Sequence, residues 1–286
     1  MKLGVSFFAW GAQFAPDDLH ILPGLKAMGM DGCEIPMFEP GQLATSEIRR
    51  GFAASQLECT VCAILPAGIN PLSPDAAARR KALEHLTACV ETAAACGATL
   101  LGGPLYAPIG YLPEHRPSQD EWQWAVELFQ SLGETLDAHQ MTLSIEPVNR
   151  AETYFLRTAE EAQRLCRAVG HARIGVTIDT FHANIEEKKI PAALLALGSD
   201  LRHIHASEND RSVLGEGHVD FPGMVAALKQ IGYQGYLMIE GFGYEASRRN
   251  APGFLWAETG VSPRDLTAKS LAYLQGLLTD RPKSGS

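Results

Sequence analysis

Long apolar runs, a cysteine framework and an excess of basic charge are all missing from this sequence, and each absence removes a class of protein. No stretch approaches the roughly 18 consecutive apolar residues of a membrane-spanning helix, so no membrane role is expected. The opening MKLGVSFFAWGAQF is apolar but short and broken by Gly4, Gly11 and Gln13. It has the pattern of a first strand rather than a signal peptide, and a cytoplasmic protein is the expectation. The net charge is −9, and short basic stretches such as Arg79-Arg80-Lys81 read as solvated helix faces. Nothing clusters Lys and Arg to overcome that charge, which argues against nucleic acid or an anionic surface as partner. The six cysteines show no disulfide spacing. Cys59 and Cys62 form a CxxC inside the apolar run LECTVCAIL, where positions three apart on a strand face opposite sides and cannot share a metal. They read as reduced structural thiols.

What is present is a repeated alternation of short β-rich runs with longer amphipathic ones. The runs Leu3–Phe8, Gly32–Pro36, Leu57–Ile64, Thr99–Gly103, Met141–Glu146, Ile174–Asp179, Leu201–His205 and Tyr236–Glu240 predict strands. Helices are expected near 17–28, 44–55, 74–95, 119–138, 158–169, 188–197, 221–230 and 263–279. The clearest begins at Ser73-Pro74-Asp75 and stops at Gly97, with helix start and stop signals at its two ends. Eight strand–helix units predict an α/β fold, a single (β/α)8 TIM barrel with a parallel, buried sheet. The 286 residues, 46% of them hydrophobic, suffice for one such domain over residues 1–280. Residues 281–286 are expected to form a disordered tail. The longer breaks, 103–117, 208–220 and 241–260, all follow strands, where a barrel carries its active-site loops.

Four of the predicted strands end on a metal-ligating side chain: Glu146 in LSIEPVNR, Asp179 in GVTIDTFHANIEE, His205 in LRHIHASEND and Glu240 in YLMIEGF. They follow one another at intervals of 26 to 35 residues. In a barrel, all four would converge on one mouth. Any one carboxylate at a strand end could merely cap a helix or pair with Arg. Four at the same topological station suit one divalent cation. Three carboxylates with one imidazole favour Mn²⁺, Co²⁺ or Mg²⁺ over a structural Zn²⁺, which prefers Cys and His. His203 faces the same side as His205 and reads as a supporting or packing residue. His182, Glu152 and Arg211 are expected on mouth loops, where they could meet a polar ligand or pair with each other and with solvent. Phe7, Trp10, Tyr106, Phe242 and Trp256 are candidates to wall the pocket or to fill the core.

These segments resemble a known group. EPVNR at 146–150, DTFHANIEE at 179–187, HIHASENDR at 203–211 with GEG at 215–217, and IEGF at 239–242 look like the D-tagatose 3-epimerase family of ketose 3-epimerases, within the xylose-isomerase-like barrel superfamily. The resemblance implies that Glu146, Asp179, His205 and Glu240 bind the metal, commonly Mn²⁺ or Co²⁺. It also implies that Glu152, His182 and Arg211 contact substrate oxygens, and that the chain forms homodimers or homotetramers. The chain departs from the family pattern after Arg150, at Gly217-His218-Val219 and at Gly241, which alters loops around the sugar.

Inverting C3 of a ketose requires removing a proton from one face and returning one to the other, so Glu146 and Glu240 are expected as the catalytic base–acid pair. The expected substrate is a free ketohexose or ketopentose such as D-tagatose, D-fructose, D-allulose or L-ribulose. The alternative keeps the fold and metal but isomerises or epimerises an oxidised sugar (a keto-gluconate or an inosose) or a hydroxypyruvate. A DNA-repair nuclease of the same superfamily would need more histidine and a basic face. A sugar-binding barrel without catalysis would not need two glutamates.

Overall fold

The computed structural model describes residues 1–242 and 260–279. Eight strands, β1 (Lys2–Ser6), β2 (Gly32–Met37), β3 (Glu58–Ala63), β4 (Leu100–Gly103), β5 (Thr142–Ile145), β6 (Ile174–Asp179), β7 (Leu201–Ala206) and β8 (Tyr236–Ile239), close into a barrel in chain order. Every neighbouring pair is parallel, and β8 returns to pair with β1 through Lys2 opposite Tyr236. The predicted (β/α)8 barrel is therefore the fold, and each predicted strand lies within two residues of an observed one. The expected tail at 281–286 and Trp256 fall outside the described residues.

Ten α-helices are described: α1 (Leu22–Met28), α2 (Thr45–Ser55), α3 (Ala76–Cys96), α4 (Gln119–Ser131), α5 (Gly133–Ala138), α6 (Ala159–Val169), α7 (Thr180–Glu186), α8 (Ile190–Leu197), α9 (Phe221–Gln230) and α10 (Pro263–Thr279). Local chemistry explains their ends. Asp75 accepts from the Ala77 N–H at the start of α3, and Gly97 closes that helix with a φ of 89°, a left-handed conformation costly to other residues. Ser118 with Glu121 and Thr158 with Glu161 form reciprocal capping boxes on α4 and α6. Two expectations are corrected. The single helix over 119–138 is two, separated at Leu132. The segment after β6 is not a loop but the short helix α7, because the Asp179 side chain accepts from the Phe181 N–H and starts a helix at once.

Strand residues alternate between two environments. Val5, Ile35, Val61, Leu101, Leu143, Val176, Ile204 and Leu237 belong to the main apolar core. On the alternate positions, Thr60 donates to Glu34, Thr177 donates to Ser144, and His203 meets Glu34. The inner face of the barrel is thus hydrogen-bonded and polar. All six cysteines are free and buried. Cys59 and Cys62 do part as strand geometry requires, Cys59 into the main core and Cys62 into a small cluster with Phe8, Ala12 and Phe242. No helix among the described residues is long and apolar enough to cross a membrane.

Candidate active site

The four strand-end residues meet at the C-terminal mouth. Glu146 follows β5, Asp179 ends β6, His205 lies on β7 and Glu240 follows β8; all are at least 96% buried. His205 Nδ1 lies 3.3 Å from Glu146 Oε1 and 3.8 Å from Glu240 Oε1. Glu146, Asp179 and His205 each offer a ligand atom within 4.8 Å of the others'.

A backbone irregularity sets this convergence. Val176 pairs with Leu201, but Thr177 pairs with His203, so Arg202 is an extra residue on β7. The shift places Asp179 opposite His205; with a regular ladder it would stand opposite Ile204. Because side chains alternate with a period of two, one inserted residue decides whether carboxylate and imidazole share a face. Gly175 makes room for the insertion, since a Cβ there would collide with Arg202.

Asp179 serves two ends of the structure at once. Its Oδ1 caps α7 by accepting from Phe181 N–H at 2.8 Å, and its Oδ2 lies 2.6 Å from Arg211 Nη1. The same Nη1 lies 2.6 Å from Glu240 Oε2 and 2.9 Å from Ser207 Oγ. Phe181 and Phe242 cover the guanidinium at 4.0 and 4.9 Å. Arg211 adopts a φ of 62°, uncommon for a side chain of this size. Its backbone holds it there by donating to the Glu208 carbonyl and accepting from Phe242 N–H. Buried Glu208 in turn accepts from the N–H groups of Gly215 and Val219, tying down the loop. Arg211 therefore pairs with two of the strand-end carboxylates rather than solvent.

His182 lies on α7, not on the expected loop, and it is buried. Asn149 N–H approaches its Nδ1 at 3.2 Å. Arg211 Nη2, which like a backbone N–H can only donate, stands 3.3 Å from Nε2, so both ring nitrogens face donors. Burial holds the imidazole neutral, with a pKa lowered to about 3 against the attraction of Asp179. Asn149 Nδ2 donates to Glu152 Oε1 at 2.8 Å. Burial also raises the Glu152 carboxyl to about 7, opposed by nearby Arg211.

Two features escaped the sequence reading. Glu34, in the middle of β2 and fully buried, lies beneath the mouth and touches both histidines of β7. Its Oε2 is 3.0 Å from His203 Nε2 and its Oε1 is 2.9 Å from His205 Nε2. His203 is thus a supporting residue with a named partner. The available signal was a charged residue interrupting the apolar run GCEIPM. Asn149, which bridges Glu152 and His182, carried no signal of its own. Of the candidate wall aromatics, Phe7 and Tyr106 belong to the main core, Trp10 packs against it, and Phe242 lies over the Arg211 guanidinium.

The donor set fits a divalent cation. Glu34, Glu146, Asp179 and Glu240 are buried together with Arg211 as the one buried arginine or lysine among the described residues. Such a surplus of negative charge is costly away from water unless a cation or a proton balances it. In the metal-free protein burial raises the Asp179 pKa, while for His205 burial is outweighed by Glu34, Glu240 and Glu146, which raise it.

The chain belongs to the xylose isomerase-like TIM barrel family, whose model matches residues 24–276. Within that class, several relatives that match it over nearly the whole chain are named as ketose 3-epimerases. A probable ketose 3-epimerase of Synechocystis sp. is 29% identical over 96% of both chains. The L-ribulose 3-epimerase of Mesorhizobium japonicum is 28% identical over 99% of this chain and 96% of its own. The crystal structure of a D-allulose 3-epimerase from Methylomonas sp. superposes with a TM-score of 0.91 at 26% identity, over 97% of this chain and 98% of that one. The resemblance read from the motifs is borne out, as is the expectation of an isomerase of the epimerase type.

Proposed function

We propose that this protein is a metal-dependent epimerase that inverts C3 of a free ketohexose or ketopentose. One observation carries the reading: two buried glutamates, Glu146 and Glu240, approach the same nitrogen of His205, at 3.3 and 3.8 Å, in a mouth that also holds a pinned arginine. The relatives named for 3-epimerisation of ketoses support the reaction and the substrate class.

In this reading Glu146, Asp179, His205 and Glu240 hold one divalent cation, Mn²⁺ in the first place and Co²⁺ or Mg²⁺ otherwise. When bound, the cation supplies Lewis-acid polarisation of the sugar's carbonyl and balances the carboxylates. The rest is done by the chain. One glutamate takes the C3 proton on its side of the sugar, leaving an enediolate. The other returns a proton to the opposite side, which inverts the centre and leaves the pair ready to run in reverse. Arg211, already anchored on Asp179 and Glu240, presents its remaining N–H groups to substrate oxygens. His182 offers a neutral imidazole and Glu152 a carboxyl raised to about 7, so the two donate or accept at sugar hydroxyls. Burial of these groups keeps water from competing for the enediolate. A phosphorylated sugar fits poorly, because Arg211 is already committed to two carboxylates.

The test uses protein stripped of metal and restored with Mn²⁺, incubated with D-fructose, D-tagatose or L-ribulose in D₂O. Deuterium at C3, followed by NMR, with the C3 epimer appearing is the expected result. Exchange at C1 with aldose appearing would make the protein an aldose–ketose isomerase. No exchange with any of the three would overturn the free-ketose reading and direct the search to oxidised sugars.

A further inference from the structure

Glu34 takes no part in the proposed proton transfer, yet it is a fully buried carboxylate on the strand diametrically placed in sequence, 169 residues from His203. We infer that Glu34 is a positioning residue: by contacting His205 Nε2 it fixes that nitrogen as the protonated one and leaves the Nδ1 lone pair facing Glu146 and Glu240. This rests on the metal-site reading above and extends it to a residue beneath the site.

The argument is one of donors and acceptors. The Glu34 carboxylate has two oxygens and three neighbours. Oε2 accepts from Thr60 Oγ1 at 3.2 Å and is 3.0 Å from His203 Nε2. Oε1 lies 2.9 Å from His205 Nε2, although the ring is not aligned for a hydrogen bond and both atoms stand without one. An ionised carboxylate can only accept, so an unprotonated Nε2 at that separation would set two lone pairs against each other. Nδ1 faces Glu146 Oε1 at 3.3 Å, within hydrogen-bond geometry, and Glu240 Oε1 at 3.8 Å. By the same rule its lone pair is free only when a cation shared with those carboxylates takes it up; the tautomer with its proton on Nε2 is then the one that can ligate. A carboxylate behind a ligating imidazole fixes its tautomer and raises its basicity. The closure of the barrel makes this possible: β2 and β7 are far apart in sequence, and both turn these side chains into one polar interior. Cys62, close to the same carboxylate and imidazole, is a weaker acceptor and does not replace it.

The experiment reads the ligating nitrogen directly. The full chain, labelled with ¹⁵N-histidine and loaded with ¹¹³Cd²⁺, is examined for metal–nitrogen coupling. Coupling through His205 Nδ1, with a proton retained on Nε2, is the expected result. Coupling through Nε2 would overturn the role of Glu34 while leaving the metal site intact. Absence of coupling to His205 altogether would overturn the metal reading itself, and this inference with it. Independently, Glu34→Gln is expected to weaken Mn²⁺ binding, measured by titration calorimetry, about 10- to 100-fold, with Glu34→Asp recovering part of the loss. A Glu34→Gln protein that melts like the parent when metal-free and binds Mn²⁺ with unchanged affinity would overturn the proposal. If that variant does not fold, the labelled parent decides the question alone.

Discussion

The two faces of the barrel wall differ sharply. Outward positions such as Val5, Ile35, Val61, Leu101 and Ile204 pack in one continuous apolar core. Inward positions carry Glu34, Thr60, Ser144, Thr177, His203 and His205, buried just as deeply. Parallel strands with both faces covered are ordinarily apolar throughout. Here inward positions on β2, β3, β5, β6 and β7 are polar and desolvated, which contributes little to stability and is sustained by hydrogen bonds and ion contacts. The outer face holds the molecule together; the inner face stores charge for chemistry.

Substitutions that act on one face only should separate these roles. The largest effect is expected inside. Glu146→Gln or Glu240→Gln, each nearly isosteric, should lower turnover of the best ketose about 10²- to 10⁴-fold while the melting temperature holds. Comparable activity in either variant would remove that glutamate from the proton-transfer pair. The converse is Ile35→Ala on the outer face of β2, at 0% exposure. It should cost about 2–5 kcal/mol of stability in urea unfolding, with the metal affinity of the folded fraction unchanged. A shift in affinity there would show that the two faces are coupled through the strand.

A smaller effect comes from Glu152, whose carboxyl is raised by burial to about 7 from an ordinary value of 4.5. The folded protein holds that proton more tightly than the unfolded chain. The associated stability is complete below about pH 4.5 and is lost as pH rises through about 7, at most about 3 kcal/mol. Glu152→Gln stays neutral throughout, so its urea midpoint should decline less than the parent's across that window. Superimposable pH profiles would show that Glu152 is not protonated in the native state.

How much of this was legible depended on distance along the chain. The outward apolar positions and the turns between them declared eight strands, because period-two patterning and capping residues are local properties. Glu146, Asp179, His205 and Glu240 were legible because each ends an apolar run, and a barrel brings every such end to one rim. Helix α7 was missed because the Asp179 side chain was read as a ligand alone, when its second oxygen also caps a helix. The partnership of Glu34 with His203 and His205 was missed because no spacing rule links β2 to β7.

By itself, then, the amino-acid order determined the number of strands, the face each residue occupies within a strand, and the residue types that arrive at the mouth. Only the tertiary structure decided which of them touch. The inserted Arg202 on β7, tolerated because Gly175 has no side chain, turns Asp179 and His205 to the same side. The left-handed backbone at Arg211, held by Glu208 and Phe242, brings one guanidinium between two carboxylates. Both depend on register and on loop closure across distant strands. Those are set by packing and hydrogen bonding of the whole barrel, and no local pattern encodes them.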